Sequence, residues 1–424
     1  MTYAEAIQFL YGLRLFGAKF GLENTFKLAA LAGQPQNRLR FIHVAGTNGK
    51  GSTCAMLEGI YRAAGLRVGL FTSPHLVSFR ERIQVNRRLI PENEVVRLVG
   101  ELQPWLKQFP AGHHPTFFEV VTVMALRFFA EQRCDLVIWE TGLGGRLDAT
   151  NIVAPLASVI TNIALDHQQW LGDTVQKIAA EKAGIIKPGV PVITAADEPE
   201  ALAVIERTAR EKNAPLEVIA EKRLAGTLAP PLPGEHQRLN AALAVATVKV
   251  LAGAIPVSEA AIHDGLATVA WPGRLQLVVR ASGQKILLDG AHNVAGARAL
   301  RETVEKNFPA VKRTLVLGVL ADKDWRQICE TLAPLAARIF TVPVASERTA
   351  NAPALAAACR AVNPAAEIVT GDSLVEALTR AEGDAFIILT GSLYLVGEAL
   401  EILGLSPANG GERVLNEWAT PVTH

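Results

Sequence analysis

A chain of 424 residues, half of them hydrophobic, is too long for one typical domain and rich enough in apolar side chains for two or three buried cores. Its 42 basic and 41 acidic residues leave a formal charge of +1, which suggests neither a polyanion-binding face nor an acidic tail and disfavours nucleic acid as main partner. No apolar run approaches the roughly 18 residues of a bilayer span, and MTYAEAIQFLYGL has no basic leader followed by a small-residue cleavage site, so a soluble cytoplasmic protein without a membrane partner is expected.

Apolar positions at helical spacing, with Ile7, Leu10, Leu13 and Phe16 in one stripe and Phe26 to Leu31 resuming it, predict two helices around the loop KFGLEN. Only about 45 residues precede the next feature, too few for an independent domain. That feature is FIHVAGTNGKGST, Phe41 to Thr53. A β-prone run feeds a turn with Gly46, Gly49, Gly51 and a single lysine, Lys50, after which Ser52 and Thr53 open a helix. Glycines let backbone N–H groups converge on phosphate oxygens, the helix N-terminus adds partial positive charge, and the ammonium reaches the terminal phosphates. The match to a Walker A loop is imperfect, because Gly51 stands where Ser or Thr would directly follow the lysine. An ordinary glycine-rich turn is the competing reading.

Downstream, Cys54 to Ala64 reads as a helix closed by Gly65, RVGLFTSPH as a strand entering a Ser-Pro turn, and Arg80 to Leu89 as charged and irregular. Helical patterns cover 92–108 and 117–132, followed by the buried strands DLVIWE, LASVITNI and VPVIT. A Pro-rich loop at 219–234 leads to the helix LNAALAVATVKVLA. WPGRLQLV then begins a second series of strands, KILLDG, RTLVLGVL, RIFTVP and AFIILTGS. Alternating strands and helices predict the α/β class, with parallel sheets covered by helices on both faces. We expect a P-loop ATPase domain at 1–274, a linker at 275–281 and a smaller Rossmann-like domain at 282–424. Cys54, Cys134, Cys329 and Cys359 form no CxxC pair and read as core residues in a reducing compartment.

In open α/β sheets ligands collect at the carboxyl ends of strands, and the unusual polar clusters fall there. Ser73 and His75 follow RVGLF, Glu140 ends DLVIW, and Asp166-His167 follows LASVITNI. Glu140 has the place of a magnesium ligand facing a phosphate loop, with a strand-end polar residue as the alternative. The glycines of GLGGRLDATN, with Arg146 and Asp148, suit a loop packed on a ligand. His167 by itself reads as a structural group. Lys182 lies near the C-terminus of a helix capped by Asp173 or Thr174 and stopped by Gly184, where the helix dipole favours a solvated lysine. In the second half LLDGAHNVAG sets Asp289, His292 and Asn293 at another strand end, and TGSLYLVGE does the same for Ser392 and Tyr394. A Ser-His-Asp hydrolase is disfavoured, because no G-x-S-x-G elbow occurs.

Eight segments together resemble the folylpolyglutamate synthase/dihydrofolate synthase family within the Mur ligase superfamily. They are HVAGTNGKGST (43–53), TSPHL (72–76), WETGLGGRLDATN (139–151), ITNIALDH (160–167), AAEKAGIIK (179–187), WPGR (271–274), LLDGAHN (287–293) and TGSLYLVGE (390–398). They run in family order over about 355 residues. Gly51 belongs to the folate branch's GTNGKGS loop, and the short segment ahead of it leaves no room for the nucleotide-sugar-binding domain of cell-wall Mur ligases. The resemblance implies that Asn48, Gly49, Lys50 and Gly51 hold the ATP phosphates and that Ser73, Glu140 and His167 ligate magnesium, with two ions in play. Ser52 becomes a secondary candidate. Lys182 matches the family's carbamylated lysine. Asn240, Arg274 and Asp289 match nucleotide contacts from the inter-domain side, with His292 beside them as a catalytic candidate. Thr116, Phe117, Phe118, Glu119, Leu147, Asp148 and Ala149 match the lining of the pterin pocket, with Gly21, Leu22 and Glu23 near it. The implied reaction joins L-glutamate to dihydropteroate or to the γ-carboxylate of a reduced folate through an acyl phosphate, in a monomer. HPTFFE at 114–119 resembles the bacterial bifunctional pattern. Another Mur-type amide ligase and a non-catalytic ATP-binding switch are the alternatives.

Overall fold

The computed structural model describes residues 1–16, 21–110, 112–220, 231–309, 312–406 and 412. Part of the loop KFGLEN and most of the Pro-rich loop expected at 219–234 lie outside the described residues.

The chain divides between two sheets. The first has eight strands: β1 (Phe41–Ala45), β2 (Val68–Phe71), β3 (Ile83–Val85), β4 (Arg88–Leu89), β5 (Leu136–Glu140), β6 (Ala157–Ile160), β7 (Val192–Thr194) and β8 (Leu216–Val218). Their order is β4-β3-β2-β5-β1-β6-β7-β8, with β1 central and the neighbours from β2 to β8 parallel. β1, β5 and β6 are buried along their whole lengths, as unbroken apolar runs require when helices cover both faces. Phe41, Val137 and Trp139 face helices Glu92–Leu106 and Phe117–Glu131, while Ile42, Val44 and Ile138 face helices Lys50–Ala63 and Glu235–Val250. Trp139 anchors the first layer, stacked on Phe71 with ring centroids 4.4 Å apart and donating its indole N–H to the Thr150 carbonyl at 2.9 Å.

Two expectations need correction. Arg80–Leu89 is not irregular: a short turn of helix, Phe79–Arg82, leads into the antiparallel hairpin β3–β4, closed by Asn86 and Arg87 at φ of 49° and 64°. Two- and three-residue edge strands carry too little alternation to be seen, and both turn residues adopt the left-handed geometry of a tight hairpin. Residues 275–281 are not a free linker either. They contain β9 (Gln276–Val279), which pairs antiparallel with β10 (Lys285–Leu288) at the edge of the second sheet and turns Leu277 and Val279 outward.

The second sheet continues with β11 (Thr314–Leu317), β12 (Arg338–Thr341), β13 (Glu367–Thr370) and β14 (Phe386–Thr390), in the order β13-β12-β11-β14-β10-β9. All its pairings except β9–β10 are parallel. Leu287, Leu315 and Ile388 point into one apolar layer, and Ile286, Val316 and Ile387 into the other. The parallel-sheet expectation thus holds for the interior of both sheets, and antiparallel pairs occur at one edge of each. All four cysteines are buried thiols. Among the described residues no helix is long and apolar enough to cross a membrane.

Candidate active site

The carboxyl ends of both sheets meet at one cavity of about 390 Å³. β1 delivers the phosphate loop to it. Gly46 passes so close to the end of β6 that a Cβ would lie 1.7 Å from Thr161 Oγ1, which only glycine avoids. The loop is held from that side: Thr161 Oγ1 donates to the Asn48 carbonyl at 2.7 Å, and the Asn48 amide donates to Asn162 Oδ1 at 2.7 Å. Helix Lys50–Ala63 then opens with Gly49 as its cap and no side chain on its first N–H groups, which leaves them facing the cavity. Lys50 folds over the loop and donates from Nζ to the carbonyls of Gly46 and Thr47 at 3.0 and 3.2 Å. Gly51 lies under the Trp271 indole, where a Cβ would sit 2.9 Å from Nε1.

Beside the loop stand the groups expected at the other strand ends. Ser73, Glu140, His167 and Lys182 all line the cavity. Glu140 is 3 % exposed and accepts the Ser73 N–H at 3.1 Å; burial pushes its carboxyl up to about 7, against the pull of Lys50. Lys182 is not the solvated helix-end lysine of the simplest reading. It is 4 % exposed and donates to Gly46 O at 2.7 Å, the same carbonyl that Lys50 uses. Burial first, and the Lys50 charge second, lower its amine to about 7. Burial also holds the His167 imidazole neutral, so its ring can offer a lone pair. Among the described residues no three His, Cys, Asp or Glu side chains are grouped to hold a metal by themselves. One carboxylate with a serine hydroxyl beside it suits magnesium, which keeps waters and shares phosphate oxygens instead of filling a protein cage.

The opposite wall comes partly from helix Glu235–Val250 of the first half, through Asn240, and partly from the second sheet and the turn before it, through Arg274, Asp289 and His292, all of which line the cavity. The Asp289 carboxylate accepts the N–H groups of Leu275 and Ala291, each at 2.9 Å, so it fixes the start of β9 and the loop after β10. His292 Nδ1 is 2.8 Å from Gly290 O.

Most residues expected around a pterin pocket line the same cavity. Gly21, Thr116, Phe117, Phe118, Glu119, Leu147, Asp148 and Ala149 line the cavity, whereas Leu22 and Glu23 are not in its lining. Leu22 precedes helix Glu23–Leu31 and packs on the apolar core, and Glu23 is exposed in the first helical turn. Two of the acidic residues turn inward. Glu119 closes a capping box with Thr116, accepting its N–H at 2.7 Å, and also accepts the Thr25 hydroxyl. Asp148 Oδ2 accepts the Gly142 and Leu143 N–H groups at 3.0 and 2.8 Å, while Oδ1 takes the N–H and hydroxyl of Thr150. Thr150 in turn lies 2.9 Å from His43 Nε2 in the middle of β1. Asp148 therefore shapes the glycine loop.

Sequence reasoning missed four cations in the lining, Arg14, Arg82, Lys323 and Arg348. Arg82 is 3 % exposed, donates to His75 Nδ1 at 2.8 Å and lies 5.4 Å from the Phe117 ring centroid. Lys323 and Arg348 follow β11 and β12. The signal for these two was position, a charged residue a few places past a buried parallel strand, which is the rule that found Asp166 and His167 after β6.

The Mur ligase middle domain family matches residues 44–223, and the Mur ligase glutamate ligase domain family matches residues 273–393. The dihydrofolate synthase/folylpolyglutamate synthase of Bacillus subtilis is 36% identical over 423 residues, covering 94% of this chain and 98% of the relative. That of Escherichia coli is 35% identical over 429 residues, covering 96% and 97%. Among solved structures, E. coli FolC in complex with DHPP and ADP superposes with a TM-score of 0.85 at 32% identity, covering 95% of this chain and 98% of the other. Mycobacterium tuberculosis folylpolyglutamate synthase complexed with ADP gives 0.87 at 30% identity, covering 96% and 100%. By family models, relatives and fold alike, this chain belongs to the folylpolyglutamate synthase/dihydrofolate synthase family of ATP-dependent ligases.

Proposed function

We propose that this chain, acting as a cytoplasmic monomer, uses ATP to join L-glutamate to dihydropteroate, to the γ-carboxylate of a reduced folate, or to both. The observation that carries the reading is one cavity between two sheets, where a phosphate loop, a buried lysine of lowered pKa and the second sheet's cations face the same space. Residues up to about 274 hold the nucleotide and the pterin acid, and the rest bring the amino acid.

A carboxylate is a poor acylating agent, so the acid's oxygen attacks the γ-phosphorus of ATP and ADP departs. The α-amine of glutamate then adds to the acyl phosphate carbon, and the tetrahedral intermediate expels phosphate as the amine loses its proton. Lys50 and the open N-terminus of helix Lys50–Ala63 hold the phosphates while charge shifts between oxygens. Asn240 and Arg274 flank the nucleotide from the inter-domain side, and Phe117 and Phe118 wall the ring of the acid. Lys323 and Arg348 would receive the carboxylates of the amino acid, and His292 lines the same cavity. Closure over these groups keeps water from the acyl phosphate.

Glu140, Ser73 and His167 would hold magnesium, which when bound neutralises phosphate charge. Lys182 is suited to carbamylation. An amine whose pKa is lowered to about 7 has a large free-base fraction at neutral pH, and its lone pair adds to carbon dioxide with loss of one proton to give a carbamate. The product is an anion beside Lys50, where it can support a second magnesium ion, and the like-charge contact between two lysines disappears.

Incubation with ATP, magnesium and radiolabelled glutamate, with either dihydropteroate or tetrahydrofolate, tests the proposal. Label should enter a folate product, and phosphate release should require both glutamate and the pterin acid. ATP binding without either event would leave the nucleotide switch instead.

A further inference from the structure

We propose that Asp166 is a positioning residue: the buried carboxylate on which the second sheet's domain docks to set Lys323 and His292 over the phosphate loop. Asp166 follows β6 in the first half of the chain, yet most of its partners come from the second. Lys323 Nζ donates to Oδ1 at 2.5 Å, Asn293 Nδ2 donates to Oδ2 at 3.0 Å, and His292 Nε2 lies 3.6 Å from Oδ2. From its own side, among the described residues, it receives the His167 N–H at 2.8 Å, with the His167 ring Nε2 3.9 Å away. The Asp166 and Lys323 side chains are 7 % and 8 % exposed, so the pair is largely removed from water and each charge needs the other.

A second contact ties this docking to the nucleotide. Asn48 of the phosphate loop and Asn293 exchange a reciprocal pair of amide hydrogen bonds, Asn48 Nδ2 to Asn293 Oδ1 at 3.1 Å and Asn293 Nδ2 to Asn48 Oδ1 at 2.9 Å. Asn293 Oδ1 also caps helix Val294–Asn307 through the Gly296 N–H at 2.8 Å. One side chain thus starts a helix of the second domain, clasps the phosphate loop and hydrogen-bonds Asp166. With its backbone held by Thr161 and Asn162 as well, Asn48 has the polar groups of a joint more than of a phosphate ligand. Any shift of the loop on ATP binding moves Asn293, and with it the cluster on Asp166 that holds Lys323 beside His167 Nε2 at 3.4 Å. A carboxylate at this position therefore makes assembly of the amino-acid side depend on the nucleotide side.

The proposal rests on the ligase reading above, and the test separates the two. Asp166→Asn, which keeps the shape and removes the charge, is compared with Lys323→Met and with the double variant in the full chain. Each single change should lower kcat/KM for glutamate by roughly 30-fold, as expected for breaking a buried pair. The double should lose no more than about threefold beyond the worse single, because both remove one contact. ATP affinity by titration should stay within about threefold of wild type, and small-angle scattering with a non-hydrolysable ATP analogue should give a larger radius of gyration for all three. Losses that multiply in the double variant, or domains as closely docked as wild type, overturn the proposal. If Asp166→Asn does not fold, scattering from Lys323→Met decides, since that change removes the same contact from the other domain. A wild-type chain that makes no glutamate adduct overturns the ligase reading and leaves the scattering test standing.

Discussion

Replacing Glu140 by Gln should stabilise the ligand-free protein while removing most of its activity, and the gain should depend on pH. Glu140 is buried at the end of β5, and its folded carboxyl titrates near 7 instead of its ordinary 4.5. The native state therefore binds more protons than the unfolded chain between those values, and stability falls as pH rises through that window. Above about pH 7 the full cost applies, and the gap between about 7 and 4.5, at ~1.4 kcal/mol per pH unit, makes it about 3 kcal/mol. The cavity beside the carboxyl admits water and relaxes part of this, so about 1–3 kcal/mol is expected. Gln keeps the shape and can still accept the Ser73 N–H, but it carries no charge. Urea unfolding without nucleotide should show the two proteins alike near pH 4.5 and the variant more stable by that amount near pH 8. A difference that does not change with pH would refute the burial argument, and a large destabilisation would make Glu140 a structural strand end.

Three further outcomes follow from the same geometry. Lys182→Ala should lose most glutamate ligation and recover part of it with added formate or acetate, which can take the place of a carbamate; full activity without rescue would remove Lys182 from the mechanism. Gly51→Ala should raise the dissociation constant for ATP roughly tenfold, because its methyl would lie 2.9 Å from Trp271 Nε1 and overpacking of this kind costs about 1–3 kcal/mol. Isothermal titration checks it, and unchanged affinity would mean that the loop and indole separate freely. Gly142→Ala would place a methyl 2.5 Å from the Phe118 ring, and should raise KM for the pterin acid by about tenfold while leaving ATP binding within about twofold. Equal effects on both substrates would contradict a pocket wall confined to the acid.

What the sequence made legible was what local chemistry specifies. Unbroken apolar runs marked β1, β2, β5, β6 and β7 of the first sheet and β10, β11, β12 and β14 of the second, and the strand ends and turns after them carried Lys50, Glu140, His167 and His292 to one rim. The hairpin β3–β4 stayed hidden because it is held by partners, not by its own pattern. Side-chain direction was equally unreadable. Glu119 and Asp148 sit in the matching segments, yet their oxygens are taken by Thr116 and Thr25, and by Gly142, Leu143 and Thr150, so they build the pocket instead of reaching into it. Gly51 looked like a departure from a phosphate motif. Its reason lies 220 positions away, in an indole that no local rule could bring to the loop.

The same distinction explains why the site costs stability. Glu140 is raised to about 7, Lys182 is lowered to about 7, and both are buried within reach of Lys50, so each charge is disfavoured until something joins it. Lys50 and Lys182 even share the Gly46 carbonyl, a contact tolerable only while Lys182 is largely uncharged. A fold selected for stability alone would place apolar groups here, since buried polar clusters gain nothing over packed hydrophobic ones. On the proposed function, what such a cluster would gain is selectivity for ligands that complete its charges: phosphates for Lys50, a divalent cation for Glu140, carbon dioxide for Lys182. Binding then returns the stability the empty site lacks, as any ligand specific to the native state must. On this view the carbonyl of Gly46 is the fixed point of the site, because it holds both lysines close enough for each to set the charge state of the other.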